Sequence, residues 1–241
     1  HCHVRSQLNE YYGDEIVPPE GSLPVHLTGN MWGQSWSNIY DLVYPQASQT
    51  KSVDVTKIIK DRNINEIEMV EYAEDFFLSM GFEPLPDTFW ERSLFTKPQD
   101  RSVVCHASAW NLDSVNNDLR IKMCIEKNEE DFITIHHELG HIFYYQAYNH
   151  LPTLFQGGAN DGFHEAFGDL LTLSITPDYL KKIGFISLDE AKLAKNDSIG
   201  LLMKQALEGV VVIPWALMLD KWRAGVFTGD IAENELNKAW W

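Results

Sequence analysis

The chain has 241 residues, of which 35 are acidic and 19 are basic, so its formal net charge at pH 7 is −16. This excess of negative charge argues against nucleic acids and anionic membranes as partners, because both are bound through basic patches that this sequence does not form. No signal peptide and no apolar run of membrane-spanning length are expected. The chain begins at His1 rather than Met and ends at Trp241 inside an amphipathic pattern, so we interpret it as an internal segment.

Helical periodicity dominates the sequence, with proline and glycine clusters between the periodic stretches. The predicted helices cover residues 4–12, 31–43, 64–80, 89–95, 129–148, 163–175, 187–195, 199–227 and 231 to the end. Residues 102–110 differ, because their valine-rich alternation predicts a short strand. We therefore expect a mainly α protein with one short strand beside its site, whose exposed edge would bind an extended peptide through main-chain hydrogen bonds.

The most informative motif lies in the predicted helix 129–148, where His137 and His141 are four residues apart. An α-helix turns about 100° per residue, so both imidazoles lie on one face and can supply two ligands to a tetrahedral zinc ion. Glu138 points to the flank of that face, where it is suited to act as a general base beside the metal.

The third ligand is predicted on the next helix, where Glu165 follows a glycine-rich turn. Asp169 lies four residues later on the same face, where its carboxylate can accept the second N–H of a zinc-bound imidazole. An oxygen as third ligand, with a position left for water, indicates catalytic zinc, and a structural metal or a surface histidine pair is the alternative. His136 and His164, the sequence neighbours of two ligands, are interpreted as packed or hydrogen-bonded residues without a functional role.

Two of the three cysteines, Cys105 and Cys124, precede the zinc helix. If they are paired, the closed loop contributes about 3 kcal/mol in the chain-entropy model and indicates an oxidising compartment. If they are not paired, they are ordinary buried thiols. Cys2 has no predicted partner within the chain.

The motifs resemble those of the peptidyl-dipeptidase A family, the angiotensin-converting enzymes. The matching blocks follow the family's order and spacing and cover residues 29–43, 103–110, 136–141 and 157–169. The resemblance runs along the whole chain and covers under half of a family catalytic domain, so residues 1–241 are expected to be part of one such domain, incomplete at both ends. It implies a helical, two-lobed zinc metallopeptidase that removes dipeptides from the C-termini of oligopeptides.

The resemblance also assigns residues to roles. It matches His137, His141 and Glu165 to the zinc ligands, Glu138 to the base and Asp169 to the carboxylate behind a ligand. It implies that Cys105 and Cys124 form a disulfide, that His106 and Ala107 hold the substrate backbone, and that Gln34 binds the substrate's C-terminal carboxylate. Gln34 and Asp169 favour dipeptide release, because the carboxypeptidase relative has Arg and Glu at these two positions.

Two departures from the family limit what this chain is expected to do alone. A His and a Tyr that stabilise the oxyanion, and a Lys and a Tyr of the carboxylate pocket, lie beyond Trp241 in the family, so the segment alone is expected to be a poor enzyme. Residues 222–225 differ from the animal enzymes in a stretch linked to chloride binding, which leaves chloride activation open.

Other functions are compatible with the same ligands. The alternatives are a zinc carboxypeptidase, an endopeptidase, and a catalytically incompetent homologue or fragment.

The expected location is outside the cell or in a bacterial periplasm.

Overall fold

A computed structural model describes residues 2–29, 33–44, 53–196 and 198–241. The chain forms two compact units, which are residues 1–52 together with 194–241, and residues 53–193. We call them the terminal unit and the central unit. The predicted zinc ligands all lie in the central unit.

The described residues are mainly α-helical, as expected. In chain order the elements are α1 (Cys2–Tyr12), α2 (Tyr40–Val43), α3 (Val55–Asp61), α4 (Glu66–Leu78), α5 (Asp87–Arg92), β1 (Ser108–Asp113), β2 (Asp118–Lys122), α6 (Glu129–Tyr148), α7 (Asp161–Thr172), α8 (Pro177–Lys182), α9 (Leu188–Asn196), α10 (Ser198–Thr228) and α11 (Leu236–Trp240). Short 3-10 turns occur at Val25–Thr28, Ser37–Ile39, Thr153–Phe155 and Glu233–Glu235.

The predicted helix over residues 31–43 is wrong for most of its length. Residues 30–32 lie outside the described residues, and the remainder contains only a 3-10 turn and α2. Gly33 adopts a φ of 66°, in the left-handed region, which interrupts a right-handed helix. The sequence also did not indicate α3 and α8, which are too short to show a helical period and begin at the capping residues Asp54 and Thr176.

The strand prediction is correct only at its C-terminal end. β1 begins at Ser108, which pairs with Lys122 in an antiparallel ladder with β2. Because β2 ends at Lys122, the residues before Ser108 have no ladder partner and do not form a strand. Within the described residues no third strand lies beside β1, so its other edge lacks a ladder partner.

The core of the central unit is built around one face of α6. Ile135, Leu139 and Ile142 are completely buried and recur at helical spacing. On the same face Phe143 stacks on Phe77 of α4 with ring centroids 4.2 Å apart. Burying a side chain of this size stabilises the fold by about 1.5–3 kcal/mol, so this face holds α6 in place while another face remains available for the site.

The terminal unit has a separate, smaller core. Its buried residues are Val4, Leu8, Val17, Ile39, Val43 and Leu207. The backbone N–H of Trp36 donates to the carbonyl of Leu207 at 2.9 Å, which joins α10 to the segment before α2.

Most of α10 is not covered by this core. Leu202, Ile213 and Phe227 are 64%, 73% and 78% exposed. The 27 residues from Leu202 to Thr228 are long and apolar enough to cross a membrane by length and composition alone, so the expectation that no such run exists is wrong. Residues 209–219 carry no charge, and the helix continues through the charged residues on both sides of them. Apolar residues all around a helix are typical either of the core of a large domain or of a membrane span.

Candidate metal centre

The sequence of α6 produces a regular helix from its first turn. The side chain of Asn128 accepts the N–H of Asp131 at 2.7 Å and caps the N-terminus. The acidic residues Glu129, Glu130 and Asp131 follow, where negative charge interacts favourably with the helix dipole. The helix then runs uninterrupted through Tyr148, and it places the rings of His137 and His141 with their centroids 4.8 Å apart.

Two glycines allow α7 to lie close against α6. A Cβ atom at Gly140 would be 3.0 Å from the Cα of Gly168, and a Cβ atom at Gly168 would be 2.7 Å from Nδ1 of His137. A side chain at Gly168 would therefore displace the His137 ring, and one at Gly140 would require α7 to move by a few tenths of an ångström, so glycine at both positions allows this close crossing. Asn160 caps α7 by accepting the N–H of Phe163 at 3.0 Å, and Glu165 follows in its first two turns.

Three potential ligand atoms converge at this crossing. Nε2 of His137 lies 3.1 Å from Nε2 of His141 and 3.2 Å from Oε2 of Glu165, and the distance from His141 Nε2 to Glu165 Oε2 is 3.7 Å. A tetrahedral ion with bonds of about 2.0–2.1 Å holds its ligand atoms about 3.3–3.4 Å apart. Two imidazoles and a carboxylate at these separations therefore fit the ligand set of zinc.

Asp169, which was predicted to contact a zinc-bound imidazole, lies beside His137. Oδ1 of Asp169 is 3.0 Å from Nδ1 of His137, on the side of the ring opposite to the atom that faces Glu165. A carboxylate here requires the proton of a neutral imidazole to be on Nδ1, which leaves the lone pair of Nε2 for a metal.

Burial shifts the pKa values of two groups in the centre. It raises the pKa of Glu138, which is only 6% exposed, because a desolvated carboxylate favours its neutral form. A higher pKa suits a carboxylate that must accept a proton and later return it. Burial also lowers the pKa of His141, which favours the neutral imidazole that a metal requires.

A cavity of about 500 Å³ opens beside these groups. It is lined by Cys105, His106, Ala107, Met123, Cys124, Glu130, Asp131, Ile133, Thr134, His137, Glu138, Asp169 and Thr172. The volume falls within the range of ordinary ligand sites. His106 and Ala107 therefore lie at the cavity wall, immediately before β1, although they are not in a strand.

Cys105 and Cys124 form a disulfide, as the family resemblance implied. The bond joins the segment that carries His106 to the segment between β2 and α6. Cys2 is an exposed free thiol. Gln34 is partly buried in the terminal unit, in the coil before the turn Ser37–Ile39, and its role stays a prediction.

His136 and His164, which were interpreted as residues without a functional role, have different surroundings. His136 is completely buried, and its ring nitrogens contact the Phe132 carbonyl at 2.8 Å and the Tyr179 hydroxyl at 2.9 Å, as expected for a packed neighbour. His164 instead lies against His141, a predicted metal ligand, and the sequence did not indicate this contact. The available signal was the spacing of His164, Gly168 and Leu171, which places them on one face of α7.

The comparisons with known proteins cover the whole chain. The family model described as angiotensin-converting enzyme matches residues 1–241. The whole chain aligns with angiotensin-converting enzyme of Bos taurus at 45% identity and with that of Haematobia irritans exigua at 42%. It aligns at 41% with an angiotensin-converting enzyme-related protein of Drosophila melanogaster. The chain spans 18%, 39% and 38% of the lengths of these three relatives.

Proposed function

Because the chain belongs to the angiotensin-converting enzyme family of metallopeptidases, we propose that it carries the zinc-binding part of a peptidyl-dipeptidase. Such an enzyme releases dipeptides from the C-termini of oligopeptides. The observation that carries the proposal is the convergence of His137 Nε2, His141 Nε2 and Glu165 Oε2 within 3.1–3.7 Å of one another.

His137, His141 and Glu165 would hold the ion, and Asp169 would orient His137 through its Nδ1–H. Zinc at this position supplies Lewis acidity, which polarises a peptide carbonyl and lowers the pKa of water. Glu138 would accept the proton of the attacking water, and its position in the cavity wall beside His137 supports this role. The same carboxyl group then donates that proton to the leaving amine. His106 and Ala107, at the cavity wall, would hold the substrate backbone.

Dipeptide release is favoured over the alternatives by two residues. Gln34 leaves more space than the arginine of the carboxypeptidase relative and is proposed to bind the substrate's C-terminal carboxylate. Asp169 is the shorter carboxylate typical of the dipeptidase. A zinc carboxypeptidase would instead release single residues, and an endopeptidase would release internal fragments.

We further propose that both units belong to one catalytic domain, since the family match runs through both without interruption. On this basis α10 packs within that domain rather than in a lipid bilayer. The charged residues Asp220, Lys221 and Arg223 lie within the segment Leu202–Thr228 and support this assignment, because each is costly in a membrane interior. The disulfide supports an oxidising location outside the cell.

The test measures zinc per chain and the masses of products released from a tripeptide derivative with a free C-terminus, using the full polypeptide. We expect one zinc ion and a released dipeptide. Glu138→Gln should keep the zinc and lower kcat by about 10²- to 10⁴-fold, because the base is lost and the ligands remain. His137→Gln should lose zinc and activity together. Glu71→Gln, a change at an exposed residue of α4, serves as the control and should change neither.

Absence of zinc from the wild-type protein would overturn the metal assignment. Single residues or internal fragments among the products would support one of the two alternative peptidases. Normal turnover by Glu138→Gln would exclude this residue as the base.

A further inference from the structure

We propose that His164 orients the metal ligand His141, in the way that Asp169 orients His137, and that Tyr148 fixes the tautomer of His164. The inference rests on the proposed zinc site and adds two positioning residues to it. It gives each metal-binding histidine its own hydrogen-bond partner.

The geometry places His164 on the correct side of the His141 ring. Nδ1 of His141 lies 3.2 Å from Nδ1 of His164. The other ring nitrogen, Nε2, points to His137 and Glu165, 3.1 and 3.7 Å away. The two nitrogens of His141 therefore face two different sets of groups, with the ligand atoms on one side and His164 on the other.

Metal binding determines the direction of this hydrogen bond. When Nε2 of a neutral His141 gives its lone pair to a metal, the ring proton is on Nδ1, which must donate. Nδ1 of His164 then has to accept, so the proton of a neutral His164 is on Nε2. That nitrogen lies 3.0 Å from the hydroxyl oxygen of Tyr148, which can accept it. The result is a directed chain from His141 through His164 to Tyr148.

The His164 ring is held by its neighbours in addition to these hydrogen bonds. Its centroid lies 4.5 Å from the Tyr144 ring and 4.8 Å from the Tyr145 ring. A Cβ atom at Gly158 would be 2.9 Å from Cδ2 of His164, so the loop backbone closes against the ring. A ring packed in this way presents its acceptor at a fixed place, which preorganises His141 for metal binding.

The partners of the two ligands differ in type. Asp169 is a carboxylate whose side chain is 76% exposed, whereas His164 is a partly buried imidazole. The half of the site that contains His141 is buried, since His141 is 8% exposed. An imidazole as acceptor there avoids placing a second carboxylate in a desolvated region.

The test compares zinc dissociation constants, measured by competition with a chromophoric chelator, in the full polypeptide. His164→Leu removes the acceptor, and we expect zinc affinity to fall by about 10- to 100-fold, the usual effect of losing a group behind a metal ligand. His164→Asn keeps an oxygen near the position of Nδ1 and should recover most of the affinity. Tyr148→Phe should lower the zinc affinity by less than about tenfold. His150→Leu, at an exposed histidine of the same unit, is the control.

A purely structural role for His164 would give a different result. His164→Leu and His164→Asn would then lower the melting temperature of the zinc-free protein and bind zinc equally well, which would overturn the inference. If His164→Leu does not fold, the tautomer of His164 in the zinc-loaded wild-type protein decides between the two roles. Wild-type affinity in Tyr148→Phe would remove Tyr148 from the proposal.

The tautomer provides an independent measurement. Nitrogen-15 spectra of the zinc-loaded protein, labelled at histidine, should show His164 protonated at Nε2 and His141 protonated at Nδ1. A proton on Nδ1 of His164 would overturn the inference. Absence of zinc binding by the wild-type protein would instead refute the proposed function, so the two failures are distinguishable.

Discussion

The helices α6 and α10 are both long and apolar, yet their apolar residues have opposite environments. In α6 the buried isoleucines Ile135 and Ile142 are completely inaccessible, whereas Ile213 of α10 is 73% exposed. The apolar residues of α6 lie mainly toward one side, so a single core covers them, and His137 and His141 project from the other side. Those of α10 surround the helix, so the small core of the terminal unit covers only a few of them. A helix can therefore position a site when its pattern separates a packing face from a functional face.

The largest expected effect is a matched pair of substitutions in these two helices. Ile142→Ala should lower the free energy of unfolding by about 2–5 kcal/mol, because it leaves a cavity in the core of the central unit. Ile213→Ala in this 241-residue chain should change it by less than about 0.5 kcal/mol, since exposed side chains contribute little. Urea unfolding followed by circular dichroism measures both. A cost of 2 kcal/mol or more at Ile213 would mean that a further element covers α10.

A second pair uses Gly168 of α7, which packs against α6, and Gly209 of α10. In Gly168→Ala the new methyl group would displace the His137 ring, so we expect zinc affinity to fall by about 100-fold. Nothing lies within 4 Å of a Cβ atom at Gly209 in α10, so Gly209→Ala should leave zinc affinity unchanged. It should also stabilise the protein by about 0.5–1 kcal/mol, because alanine favours helix. Chelator competition and thermal unfolding distinguish the two results. Unchanged zinc binding in Gly168→Ala would show that the crossing of α6 and α7 can relax.

The smallest effect concerns the pH dependence of the packing face of α6. Burial lowers the pKa of His136 to about 4. The unfolded chain takes up a proton near pH 6.5 and the folded chain does not, so stability falls as the pH is lowered from 6.5 towards 4. The loss should be about 2 kcal/mol between pH 7.5 and pH 5. Urea unfolding of the metal-free protein at the two pH values measures it.

The variant His136→Gln removes the titrating group and should reduce this pH dependence by the same amount. Tyr179→Phe removes a hydrogen bond of His136 but keeps the histidine buried, so its pH dependence should remain close to that of the wild-type protein. Equal pH dependence in the wild type and His136→Gln would show that His136 is not responsible.

The sequence predicted α6 to its exact residues because several local signals agree there. A capping asparagine, three acidic residues and a long apolar period all indicate the same helix. The helix predicted over residues 31–43 is interrupted at Gly33. The strand begins later than predicted, because its extent depends on where β2 ends. A strand boundary is set by a partner that is distant in the sequence, which a local pattern does not contain.

For the candidate site, the sequence by itself determined which residue types could bind a metal and which face of α6 carries His137 and His141, because helical geometry fixes both. Only the tertiary structure decided how the second helix approaches. The contact of Gly140 with Gly168 brings Glu165 and Asp169 to His137, and His164 to His141, within 3.0–3.2 Å. The distance between two helices depends on how small the residues at their crossing are. The periodicity within either helix does not show which residues meet there.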